Sequence, residues 1–99
     1  MEEMRDTLKK CYDRLLEKQS FKPGDIVQWK DRLKNRRWPA YNQLCVVLDV
    51  FERPFFDEKE SPSTPYFREP LDILLGFIDS EDYFVGFHFD SRRFELCKG

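Results

Sequence analysis

The chain has one histidine, four glycines and three cysteines in 99 residues, and each scarcity removes a class of chemistry. Cys11, Cys45 and Cys97 are far apart, odd in number and form no Cys-x-x-Cys. With His88 as the lone imidazole, no ligand spacing for structural zinc exists, and a disulfide framework is unsupported. Reduced thiols in a cytoplasmic protein fit the pattern better. The glycines are dispersed, so no glycine-rich loop can cradle a phosphate. No apolar run approaches the roughly 20 residues that span a bilayer. Met1–Lys10 is charged throughout, unlike a secretion signal. The expectation is a cytoplasmic protein with no cofactor, no metal and no membrane partner.

What is present is a single domain's worth of ordinary globular sequence, with 40% hydrophobic and 36% charged residues, a balance that argues against disorder over most of the length. Ten phenylalanines dominate a high aromatic content, as in small β-barrels where few residues must supply much apolar area. The net charge of −2 conceals an asymmetry. Residues 1–51 hold eleven Lys/Arg against eight Asp/Glu, and residues 52–99 hold six against eleven. Two faces of opposite sign, or mutual attraction of the halves, follow from this.

Met4, Leu8, Cys11, Tyr12, Leu15 and Leu16 recur at the helical period, so Glu2–Lys18 is expected as an amphipathic helix within an N-terminal segment, residues 1–20. Its stripe is expected to cover an open end or edge of the domain formed by residues 21–99, with a partner's surface as the second choice. Pro23-Gly24 makes a turn, and Asp25–Lys30 reads as a strand. Leu44–Glu52 reads as a second strand, continuous at its centre and expected to be buried on both sides. Arg53–Pro70 contains four prolines and a run of acids and is expected as a long loop. Leu71–Ile78 and Tyr83–Phe89 form a hairpin across Asp79–Asp82, with Gly76 and Gly86 marking bulges or bends. Asp90–Arg93 reads as one helical turn before a short last strand, Phe94–Cys97.

This order of elements, from Phe21 to Cys97, resembles the SH3-like barrel. The residues that carry the resemblance are Lys22-Pro-Gly-Asp-Ile-Val-Gln-Trp29, Val46-Val-Leu-Asp-Val50, Leu75-Gly-Phe-Ile78, and Phe87-His-Phe-Asp90 with Phe94-Glu-Leu96. Such an opening is common among small bacterial and phage proteins with this barrel. The resemblance implies a mainly β fold, an SH3-like five-stranded barrel with an amphipathic N-terminal helix. It does not imply a function, because such barrels host many unrelated sites. Ribonuclease toxins of bacterial toxin–antitoxin pairs look partly similar, through Gly24-Asp25, Arg36, Arg37, Pro39 and Val46-Val47. They place a Ser or Thr shortly after the second strand, where this chain has Asp49-Val-Phe-Glu-Arg53.

The stretch Lys30–Tyr41 carries the most distinctive chemistry. Lys30, Arg32, Lys34, Arg36 and Arg37, interleaved with Trp38 and Tyr41, have the composition of a phosphate-and-base contact. An acidic chain argues the other way, since nucleic-acid modules usually carry a basic excess. Trp, Tyr and Arg also dominate protein-interface hot spots. The leading expectation is a non-enzymatic protein-binding module, an adaptor or regulator. It would use a cleft between the two long loops, with Arg36, Arg37, Trp38, Tyr41, Tyr66 and Phe67 in contact. Nucleic-acid binding through the same loop is second, and a toxin-type ribonuclease third. A homodimer, through the helix stripe or an unpaired strand edge, stays open. His88 with Asp90 two residues on lacks an evident nucleophile, so no catalytic residue is assigned. Asp79, Glu81 and Asp82 lack the spacing of a calcium loop and read as turn formers.

Overall fold

The computed structural model describes residues 2–17, 19–56 and 69–97. Helix α1 runs Glu2–Leu16, followed by β1 Ile26–Trp29, β2 Cys45–Phe55, β3 Leu71–Ile78 and β4 Phe84–Phe89. A single 3-10 turn, Ser91–Arg93, leads into β5 Phe94–Leu96. The strands form one antiparallel sheet in the order β4-β3-β2-β1-β5. The fold is thus mainly β with one N-terminal helix. The order ends on β4 and β5, and among the described residues no ladder joins these two, so the sheet is not closed into a barrel. No helix among the described residues is long and apolar enough to cross a membrane.

Alternation explains the core. Val27 and Trp29 on β1, Leu71, Ile73, Leu75 and Phe77 on β3, and Phe94 on β5 all point to one side and are buried, with Cys45, Val47 and Phe89 between them. Trp29 stacks on Phe94 at 4.2 Å and meets Phe89 edge-on at 5.8 Å, which ties the β1–β5 half to the β3–β4 half. Its indole N–H donates to the carbonyl of buried Pro39 at 2.7 Å, so the ring also anchors the loop before β2. The chain enters β1 through the turn at Lys22–Asp25. Gly24 takes φ 95° there, and the Asp25 carboxylate accepts the Lys22 amide at 2.9 Å.

Three sequence expectations are corrected. The apolar run of β2 is not explained by burial on two sides, since Leu48 and Val50 are exposed. A register shift falls between Val47 and Asp49, and the extra residue there changes which side chains face the core. β2 also continues through Pro54 to Phe55. A second irregularity, between Val50 and Phe55, is where a residue without an amide proton is tolerated. Gly76 and Gly86 are not bulges. They pair directly in an unbroken ladder, and a Cβ on Gly76 would sit 2.5 Å from the Phe84 ring, so the missing side chain makes room for that ring.

Of the helix stripe, Cys11 and Leu15 are half-buried and the rest stands in solvent. Met4, Leu8, Tyr12 and Leu16 are all exposed, and no residue of α1 is buried. The helix is instead held by its C-terminal end. Lys30 Nζ donates to the carbonyls of Arg14 and Glu17, and Arg14 bridges Asp31 at 3.3 Å. Beyond the helix, Gln19 Oε1 accepts the Leu96 amide at 2.8 Å.

Candidate interaction site on the loop between β1 and β2

Residues 30–44 connect β1 to β2 along a path fixed at several points. Leu33 and Pro39 are buried, and the Leu33 amide donates to the Lys30 carbonyl. Beneath them lies a polar cluster. Buried Glu69 accepts from Arg93 Nε at 2.8 Å and from Asn35 Nδ2 at 2.7 Å, while Arg93 Nη1 donates to the Leu33 carbonyl at 3.0 Å. Asn35 Oδ1 is buried, and among the described residues it has no hydrogen-bond partner. The far end is closed by Gln43, whose side chain accepts the Ala40 amide and donates to the Ile78 carbonyl at 2.5 Å.

Between these anchors two aromatic rings stand out. Trp38 is 45% exposed and Tyr41 48%. Each has a cation beside it: Arg37 Cζ lies 5.9 Å from the Trp38 ring, and Lys34 Nζ 5.8 Å from the Tyr41 ring. Lys34 also donates to the Arg36 carbonyl at 2.7 Å, which fixes its head group. Arg37 is exposed and Arg36 half-buried. Arg32 is exposed in a left-handed conformation, φ 66°.

Lys30 differs from the other cations of the stretch. It is buried at 3% exposure, and its ammonium is turned toward the end of α1. Burial lowers its pKa from 10.5, against the opposing pull of Glu17, Glu95 and Asp90. Lys30 thus serves the fold, and Arg37 and Lys34 are the cations beside the two rings. Tyr66 and Phe67, named with them from the sequence, lie outside the described residues, as do the loop acids Asp57, Glu58 and Glu60.

The acids Asp79 and Asp90 are engaged structurally. Asp79 Oδ1 accepts the amides of Glu81 and Tyr83, both at 2.9 Å, which makes it the organiser of the hairpin turn. Asp90 accepts the Arg92 amide at 3.0 Å and the Arg92 guanidinium at 2.7 Å. His88 is exposed on β4, its ring 5.6 Å from Phe51. Among the described residues no group of three or more His, Cys, Asp or Glu side chains is placed to hold a metal. A groove of about 610 Å³ lies between the end of α1 and the sheet, floored by Leu16, Phe21, Val50 and Pro54. Asp72 and Asp90 line it, already bonded to Ser91 and Arg92.

Sequence reading missed the anchoring cluster. Glu69 stands in the proline-rich stretch, and nothing in its neighbours signals a buried carboxylate shared by Asn35 and Arg93. Compared with protein-family models, curated proteins and solved structures, the chain shows no significant match.

Proposed function

We propose that this protein is a small non-enzymatic protein-binding module on an SH3-like barrel scaffold, engaging its partner through Arg37, Trp38 and Tyr41. The observation that carries the reading is the pair of half-exposed rings, each beside a cation, on a loop pinned by Leu33, Pro39, Asn35 and Gln43. Rings held this way lose little freedom on binding, and Trp, Tyr and Arg are the side chains that concentrate binding energy. The scaffold reading draws support from the strand order, with β1 between β2 and β5 and one 3-10 turn before β5. The resemblance of Lys22–Trp29 to small bacterial and phage proteins supports a bacterium or its mobile elements as the source, while the role of adaptor or regulator rests on the loop alone.

Nucleic-acid binding by the same loop is the second reading, favoured by Arg37 and Lys34 beside rings on which bases can stack. Withdrawal of Lys30 into the fold and the net charge of −2 weigh against it. Capture from a lysate of the source cell, with wild-type and Trp38→Ala protein and with and without nuclease, separates the two. A defined protein that survives nuclease and is lost with Trp38→Ala supports the module. Recovery of nucleic acid, or of proteins lost on nuclease treatment, supports the second reading. Cleavage of RNA by catalytic amounts of protein would overturn both in favour of a ribonuclease.

A further inference from the structure

The two edges of the sheet are finished differently. β5 is three residues long, carries Glu95, and its Leu96 amide is already taken by Gln19. β4 is six residues long and reads Phe-Val-Gly-Phe-His-Phe, without the lysine, proline or bulge that protects an edge from pairing. Its ladder with β3 is continuous from Ile78↔Phe84 to Ile73↔Phe89. The Asp79 amide donates to the Tyr83 carbonyl and closes the hairpin. Alternation from that bond turns the amides of Phe84 and Gly86 away from β3, toward the open side.

Apolar side chains stand on both faces of this edge. Phe84, 59% exposed, lies on one face beside Ile78 at 49%. Phe87, 53% exposed, lies on the other, stacked on Phe77 at 5.8 Å. Tyr83, just before the strand, is 65% exposed. Pairing at this edge would set a second strand's side chains alongside these rings on both faces, as cross-strand neighbours.

We propose that β4 is a pairing edge for a second copy of this chain, joined antiparallel across a twofold axis so that two sheets continue into one. Antiparallel pairing of a strand with itself is self-complementary, so β4 supplies both halves of the contact. The strand itself carries no acid, lysine or arginine, so the paired residues of two copies set no like charges directly opposite each other. Even full cover of the exposed rings, Ile78 and the edge backbone removes only on the order of 500 Å² per copy, short of the roughly 800 Å² per partner of a standard interface, so the dimer belongs with weak, concentration-dependent contacts.

Sedimentation equilibrium of the full chain from low to high micromolar concentration tests this. The expected mass rises to twice 12.1 kDa, and Phe84→Lys and Phe87→Lys each return it to the single-chain value with an unchanged far-UV spectrum. Leu8→Lys, on the helix ridge, leaves the dimer intact. A wild-type mass that stays at the single-chain value overturns the proposal and leaves the edge to a strand from another protein. A dimer abolished by Leu8→Lys but not by the strand variants overturns it in favour of the helix. Should the lysine variants fail to fold, hydrogen exchange of wild-type Phe84 and Gly86 amides decides. Exchange that slows with concentration supports the pairing, and exchange independent of concentration overturns it.

Discussion

Lys30, at the end of β1, donates through its ammonium to the carbonyl oxygen of Glu17 at 2.7 Å and to that of Arg14. The last carbonyls of a helix have no partner inside it, and a cation there also meets the negative end of the helix dipole. One side chain thus links the sheet to α1. Replacing Lys30 by Met should fray the end of α1 and cost about 1–3 kcal/mol. Far-UV circular dichroism would show lost helix signal, with the near-UV signal of the aromatic core retained. The burial that lowers the Lys30 pKa from 10.5 also sets a pH dependence. In the window below 10.5 the folded chain releases this proton before the unfolded chain does, so the lysine's contribution to stability rises with pH there. Lys30→Met removes that rise. Unchanged helicity in the variant would show that the two carbonyls are served by water instead.

The two tryptophans should behave oppositely. Trp29 is buried, stacked on Phe94 and bonded to the Pro39 carbonyl, whereas Trp38 is nearly half exposed. Acrylamide should quench one component of the fluorescence readily, and Trp38→Phe should remove that component. Trp38→Ala should change stability by less than about 0.5 kcal/mol, while Trp29→Ala should cost about 3–5 kcal/mol. Unfolding of Trp38→Ala would make Trp38 part of the core and end the site assignment.

The contrast between these residues shows what the sequence carries. β3 is legible with its observed bounds, because Leu71, Ile73, Leu75 and Phe77 alternate with residues of the other face and a polar turn follows. The 3-10 turn at Ser91–Arg93 is legible from the capping Asp90. The β2 irregularity is not legible, since inserting one residue into an apolar run leaves the run apolar. Nor is the role of Lys30. A lysine beside four other cations reads as one of a set, and only the return of α1 to the end of β1 separates it from them. Trp38 and Tyr41 are legible as unusual, but their exposure depends on Leu33 and Pro39 being buried in the same loop. The place of β4 at the end of the described sheet is hidden for a similar reason, because order along the chain does not say which strand is last in the sheet.

Asp90 and Arg92 predict an asymmetry. The Asp90 side chain is 1% exposed and that of Arg92 32%. Hydrogen bonding to Asp90 raises the Arg92 pKa above its ordinary value. Arg92→Ala leaves a buried carboxylate without its cation and should cost about 3 kcal/mol, the low end of the range for broken buried pairs, because Arg92 is partly solvated. Asp90→Asn keeps an acceptor for the Arg92 amide and leaves the guanidinium to water, so it should cost about 1 kcal/mol. Urea denaturation of the two variants measures the difference. Equal losses would mean that the carboxylate finds another donor when Arg92 is gone.

Cys45 predicts a thiol that the folded chain conceals. Burial pushes it up to about 12 from 9.0, while Cys11 and Cys97 are only partly covered. A shift of this size lowers the thiolate fraction near neutral pH by about a thousandfold. Alkylation of the native protein should therefore modify Cys11 and Cys97 and spare Cys45 until the chain is unfolded, as peptide mapping by mass spectrometry would show. The same group sets an alkaline limit. Below pH 9 it is protonated in both states and its effect on stability is constant. Between 9 and about 12 only the unfolded chain releases the proton, so stability falls with rising pH, opposite in sign to the Lys30 effect. Cys45→Ala should remove this fall while costing stability at neutral pH through lost packing in the core cluster, where Cys45 pairs with Val27. Rapid alkylation of Cys45 in the native state would mean that the structure around the start of β2 opens locally, because the residue is only 2% exposed when folded.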